Sequence, residues 1–144
     1  MTIFEALRQD HEKQRLLLKI LVQTHGDTAA RRDYFEELKD ELSRHATAEE
    51  RHFYSPLMEY DGAVELSRHG IAEHHEIDEL LEKLDDTDCS SPAWLRYLKQ
   101  LKEQVEHHLD DEEQEFFQIG GRLLKEQQKN ALGAAYQEEM AELA

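Results

Sequence analysis

The chain is poor in residues that cross-link or break a backbone. Its one cysteine, Cys89, excludes an internal disulfide, no Cys-x-x-Cys pair exists, and the shortage of thiolates excludes an iron–sulfur cluster. Two prolines and six glycines among 144 residues leave few interruptions, and leucine, glutamate, alanine and lysine fill the rest. No window alternates apolar and polar residues with β-branched enrichment, so no strand is expected. No apolar run approaches the ~18 residues of a membrane span. The opening MTIFEALRQDHE carries charge within its first turns, unlike a signal peptide, so a cytoplasmic location is expected. Positive charge is also scarce: 17 Lys and Arg against 33 Asp and Glu give a formal net charge of −16. Such a surface repels phosphate backbones and anionic lipid, so neither nucleic acid nor membrane is an expected partner.

What remains is helix. Breakers at Thr24–Asp27, Ser55-Pro56, Asp61-Gly62, Thr87–Pro92 and Gly120-Gly121 predict helices over about 2–24, 29–54, 63–85, 91–118 and 122–142. Residues 1–144 read as one all-α domain. An up-down-up-down four-helix bundle occupies about 1–120, with an additional C-terminal helix over about 122–142 that packs on its own chain or joins a homodimer.

The seams of the first four helices each carry a histidine. The second reads Phe35, Leu38, Leu42, His45, Glu49 and His52; the fourth reads Trp94, Leu98, Leu101, Val105, His108, Glu112, Glu115 and Ile119. The first places His11 between Leu7 and Leu18, and the third places His74 between Ile71 and Ile77. Burying four imidazoles and two carboxylates without partners costs several kcal/mol per charge. A metal cluster would compensate.

An internal repeat ties these residues together. An offset of 63 maps His11 to His74, His45 to His108, Glu49 to Glu112, Glu50 to Glu113 and Tyr54 to Phe117. The apolar frame follows, with Leu17/Leu80, Leu18/Leu81, Leu21/Leu84 and Leu38/Leu101. The repeat selects His74 over its neighbour His75, which maps to Glu12. His-x-x-x-Glu occurs as His45–Glu49 and His108–Glu112, and residues four apart share a helix face. One such unit is a weak signal. Two in register, each preceded by a histidine 34 residues earlier, form a strong one. Four His and two Glu exceed the needs of one tetrahedral zinc and suit two ions with bridging carboxylates. The ferritin-like pattern, Glu-x-x-His twice, is matched only by Glu49–His52.

Asp10-His11-Glu12, His45-x-x-x-Glu49-Glu50, Glu73-His74 and His108-x-x-x-Glu112-Glu113 resemble the hemerythrin-like, or HHE cation-binding, domain over residues 1 to about 120. The resemblance implies a non-haem centre of two iron ions joined through oxygen or hydroxide, with manganese or zinc as substitutes. Histidines are then terminal ligands and the two carboxylates bridge. Oxygen-carrying relatives have a fifth histidine one turn along the third helix. Here those positions are Gly70 and Asp78, so Tyr54, Asp78, His69, a water or an open position takes its place. His52 and Glu115 are candidates for an extra ligand or a supporting role, and Glu50 and Glu113 either face solvent or fix neighbouring ligands. His25, His69, His75 and His107 read as surface residues.

Three functions fit this reading. The centre can bind or react with oxygen, peroxide or nitric oxide, in sensing, detoxification or iron handling. It can act as an enzyme that disproportionates peroxide or consumes oxygen. It can also be a regulatory module whose metal state a protein partner reads. Small molecules are the expected ligands, and the chain is expected to be a monomer or homodimer.

Overall fold

A computed structural model describes residues 1–144, all of it helices and connections. Five helices form: α1 (Ile3–Leu21), α2 (Ala29–Glu49), α3 (Val64–Asp85), α4 (Pro92–Asp111) and α5 (Glu126–Leu143). The chain caps its starts locally. Thr2 and Glu5 satisfy each other's backbone N–H groups ahead of α1. Thr28 accepts from the Arg31 N–H, and Ser91 accepts from Ala93 ahead of Pro92, whose missing donor is harmless there. Gly26, at φ 56°, supplies the left-handed turn between α1 and α2.

Two expected breaks are not breaks. α2 continues through a π turn (Glu50–Tyr54) into Ser55–Leu57, so Pro56 lies inside the continuation. α4 likewise continues through a second π turn (Glu112–Phe116) into Phe117–Leu123, past both glycines. Gly120 is a packing site: an added Cβ would lie 3.3 Å from the Phe4 ring and 3.4 Å from Leu57. The chain turns instead at Leu124, whose backbone is extended, and the last helix begins at Glu126 rather than 122.

The first four helices run up-down-up-down, α1 on α2 and α3 on α4, and α5 lies across α1 and α2. Two apolar clusters fill the bundle. One joins Leu18, Leu21, Leu38, Leu84, Trp94, Leu98 and Leu101. The other joins Ile3, Leu7, Phe53, Tyr54, Leu57, Phe116 and Tyr136. Each fully buried side chain of this size stabilises the fold by roughly 1.5–3 kcal/mol. Arg31 closes the far end of the first cluster. It donates to the carbonyls of Thr24 and Cys89, and its guanidinium lies 4.7 Å from the Trp94 ring centre. The polar residues of the seams lie between the two clusters.

Candidate metal centre

Each of the four bundle helices contributes one histidine to this middle layer, because each carries it within the apolar stripe. His11, His45, His74 and His108 are at most 5% exposed, and Glu49 and Glu112 at most 4%. The two carboxylates sit among the four Nε2 atoms. His74 Nε2 is 3.0 Å from Glu49 Oε1, His45 Nε2 3.4 Å from the same oxygen, and His11 Nε2 3.2 Å from Glu112 Oε1. His108 Nε2 is 3.6 Å from Glu112 Oε2. None of these contacts has hydrogen-bond geometry. Ten buried side-chain polar atoms lack a hydrogen-bond partner, and seven belong to this cluster: all four Nε2 atoms, both Glu49 oxygens and Glu112 Oε1.

The opposite ring nitrogens are all engaged. His11 Nδ1 is 2.7 Å from Glu113, His74 Nδ1 2.8 Å from Glu50, and His108 Nδ1 2.7 Å from Glu73. His45 Nδ1 is 2.6 Å from the Tyr136 hydroxyl, which donates to Asp10. An outer hydrogen bond at one nitrogen with a bare inner nitrogen is the arrangement of a metal-ligating histidine. The donor set therefore fits cations. It divides into His11, His45, Glu49 and Glu112 on one side and Glu49, His74 and His108 on the other.

Charge follows geometry. Burial opposes a proton on His11, but Glu112 and Glu113 outweigh it and hold its pKa at about 9. For His74, Glu49 and Glu50 overcome burial in the same way, at about 10. Burial also opposes the charge on Glu113, yet His11 and Arg15 hold its carboxyl down at about 2. Arg15 donates to both Glu113 oxygens at 3.2 Å. Burial and the charge of Glu49 push Glu112 upward; burial pushes Glu49 the same way, but His45, Glu112 and His74 outweigh it and hold Glu49 below the usual carboxylate range.

The π turns set the aromatic neighbours. A π turn bonds five residues back: Ser55 N–H to Glu50 and Phe117 N–H to Glu112. The widened turn buries two consecutive aromatics, Phe53-Tyr54 in one half and Phe116-Phe117 in the other. Tyr54 stacks on His74 at 5.4 Å, and its repeat partner Phe117 stacks on His11 at 5.8 Å. The Tyr54 hydroxyl donates to Glu112, and burial with the nearby carboxylates raises its pKa well above the usual phenol value.

The other candidates lie outside the cluster. His52 faces Glu139 of α5 at 2.6 Å. Asp78 and Glu115 are exposed, but Asp78 lines the small cavity beside His45 and His74, and Glu115 lines the cleft that ends at His108 and Glu112. His69, His75 and His107 have side chains at least 63% exposed. Glu50 and Glu113 fix His74 and His11. Glu73, Asp10 and Tyr136 are partners that the His and Glu spacing alone does not single out; the one trace of them in the sequence is that the repeat pairs Asp10 with Glu73.

Two openings reach the cluster. A cleft lined by Leu66, His69, Gly70, Glu73 and Glu115 ends at His108 and Glu112. A smaller cavity, with room for about one water molecule, is lined by Gln14, Leu42, His45, His74 and His108. Gln14 is buried there, and its amide nitrogen has no partner.

A helical bundle that turns four bare imidazole nitrogens and two carboxylates on one another defines a metal-binding domain. The chain belongs to the hemerythrin HHE cation-binding domain family, which it matches over residues 2–119. Cation binding is the property of that family. Among its relatives is a DNA nickase of Nostoc sp., 30% identical over 117 residues, which cover 81% of this chain and 33% of that protein. The chain thus spans about a third of that relative's length. The fold is shared with the crystal structure of a hemerythrin HHE cation-binding domain-containing protein from Mycobacterium kansasii. The TM-score is 0.88 at 22% identity, over 99% of this chain and 87% of the other.

Proposed function

We propose that the chain holds two iron ions, with His11, His45, His74 and His108 as terminal ligands and Glu49 and Glu112 between the ions. This non-haem centre binds or reacts with oxygen, peroxide or nitric oxide. The observation that carries the reading is the set of seven unpartnered buried atoms, which leaves every Nε2 bare while every Nδ1 is bonded. The group, when bound, supplies redox chemistry and a Lewis acid. The protein's part is orientation and exclusion. Glu50, Glu73 and Glu113 hold three rings in place, the two apolar clusters enclose the centre above and below, and access is left to the cleft that ends at His108 and Glu112 and to the small cavity beside Gln14.

Tyr54 favours redox or sensing work over reversible oxygen carriage. Position 70, one turn from His74, holds glycine, and the Tyr54 ring fills the space beside it. A phenol donating to Glu112 thus lies beside one of the two positions, 70 and 78, at which the resemblance implies a fifth imidazole. Peroxide disproportionation or oxygen consumption is the enzymatic form of the same reading. The nicking activity named for the Nostoc relative does not carry over to this centre. The match covers a third of that protein, and a net charge of −16 works against a phosphate backbone.

The test is anaerobic iron loading, metal analysis and optical spectra, followed by oxygen and then peroxide. Two irons per chain and an absorption change on oxidation are expected. The His74→Ala and Glu112→Ala proteins are expected to lose iron. Parental iron content in both variants would refute the assignment.

A further inference from the structure

We propose that Tyr136, carried by α5, is the positioning residue for His45 and makes the two halves of the metal centre inequivalent. The inference rests on the two-metal reading above. Three of the four histidines meet a carboxylate directly at Nδ1: Glu113, Glu50 and Glu73. His45 alone meets a phenol, at 2.6 Å.

The repeat explains why. His108 corresponds to His45 and Glu73 to Asp10, across the offset of 63. Glu73 reaches His108 unaided. Asp10 is one methylene shorter, and the Tyr136 hydroxyl bridges it to His45. The bridging residue comes from a helix outside the duplicated frame.

The proton count has one solution. An Asp10 carboxylate only accepts, so the Tyr136 O–H donates to it. The phenol oxygen then accepts from the His45 Nδ1–H. His45 Nε2 is left with its lone pair free, 3.4 Å from Glu49 Oε1. A neutral phenol raises the basicity of an imidazole less than a carboxylate does. His45 is therefore the weakest of the four nitrogen donors, and the ion shared by His11 and His45 is held less tightly than the ion shared by His74 and His108.

The helix is built to hold this hydroxyl. Tyr136 is 1% exposed, and its ring meets the His45 ring edge-on at 5.9 Å. Gly133 seats α5 against the backbone of Met1 and Thr2. Arg44 donates to the Met140 carbonyl, and Glu139 takes His52 and Arg51.

The test is anaerobic titration of the metal-free full-length protein with iron(II) against a competing chelator. Tyr136→Phe keeps the ring and removes the hydroxyl; it is expected to weaken one of the two ions roughly 10–100-fold and leave the other unchanged. Glu73→Gln is expected to weaken the other ion, so that the double variant weakens both. Leu21→Ala loosens the apolar cluster that lies away from α5 and the donor set, and both ions are expected to keep parental affinity. Parental binding of both ions by Tyr136→Phe would overturn the inference. So would equal losses in Leu21→Ala and Tyr136→Phe, or a double variant in which only one ion weakens. If His45→Ala and His108→Ala each bind two ions as the parent does, the two-metal reading itself fails, a different result from any of these.

Discussion

His11 and His74 are pulled two ways, by a dry environment that rejects charge and by carboxylates that demand it. The carboxylates win, and the folded pKa values of about 9 and about 10 lie above the ordinary 6.5. A group raised on folding stabilises the fold fully below its unfolded value, and that contribution fades as pH rises through the folded one. Metal-free protein is therefore expected to melt at progressively lower temperature between about pH 6.5 and pH 10. Thermal melts of chelator-treated protein across that range check this, and a melting temperature that rises with pH would contradict it. Metal and proton compete for the same Nε2 atoms, so metal uptake releases protons. The choice between His74 and His75 was legible in the residues, because the repeat assigns a partner to only one of them. The outer partners were legible only in part. Glu50 and Glu113 stood beside recognised positions, but Tyr136 is 91 residues from His45 and has no counterpart in the repeat.

At the level of elements, the breakers located all five helices, although Pro56 and the Gly120-Gly121 pair lie inside helical continuations and the last helix starts later than expected. The two π turns left no comparable trace, since one shifted hydrogen bond changes no residue type. The doubled aromatics, Phe53-Tyr54 and Phe116-Phe117, are their one visible sign: an α-helix presents consecutive residues about 100° apart, whereas a widened turn buries both. The unforeseen continuations through Pro56 and Gly120 follow from the same turns and from the packing of Phe4 on Gly120. α5 was legible as an amphipathic helix, but not its seat. A Cβ on Gly133 would lie 2.4 Å from the Met1 carbonyl oxygen and 2.6 Å from the Thr2 backbone, which has no rotamer to yield. Gly133→Ala is expected to destabilise the protein by about 1–3 kcal/mol, the usual cost of overpacking. Chemical denaturation would measure this, and an unchanged midpoint would show that α5 does not sit where described.

Across the whole molecule, the buried charges are a liability that the apolar clusters on either side must carry when no ion is bound. An ion that binds the folded state alone stabilises it in proportion to RT ln(1 + [ion]/Kd), about 2.7 kcal/mol at a hundredfold excess over Kd. Iron is therefore expected to raise the melting temperature of the metal-free protein, increasingly with iron concentration, and a chelator to reverse the gain. A melting temperature indifferent to iron would count against the centre. The charge pattern agrees with this division of labour. An acidic exterior attracts cations in general, while selection among them falls to the buried donor set.

Gly70 lies under the Tyr54 ring so closely that any side chain there would place its Cβ 2.5 Å from the ring. The two positions are therefore coupled: a side chain at 70 displaces the Tyr54 ring, and with it the hydrogen bond that the phenol makes to Glu112, so a change at this glycine is felt at a buried carboxylate.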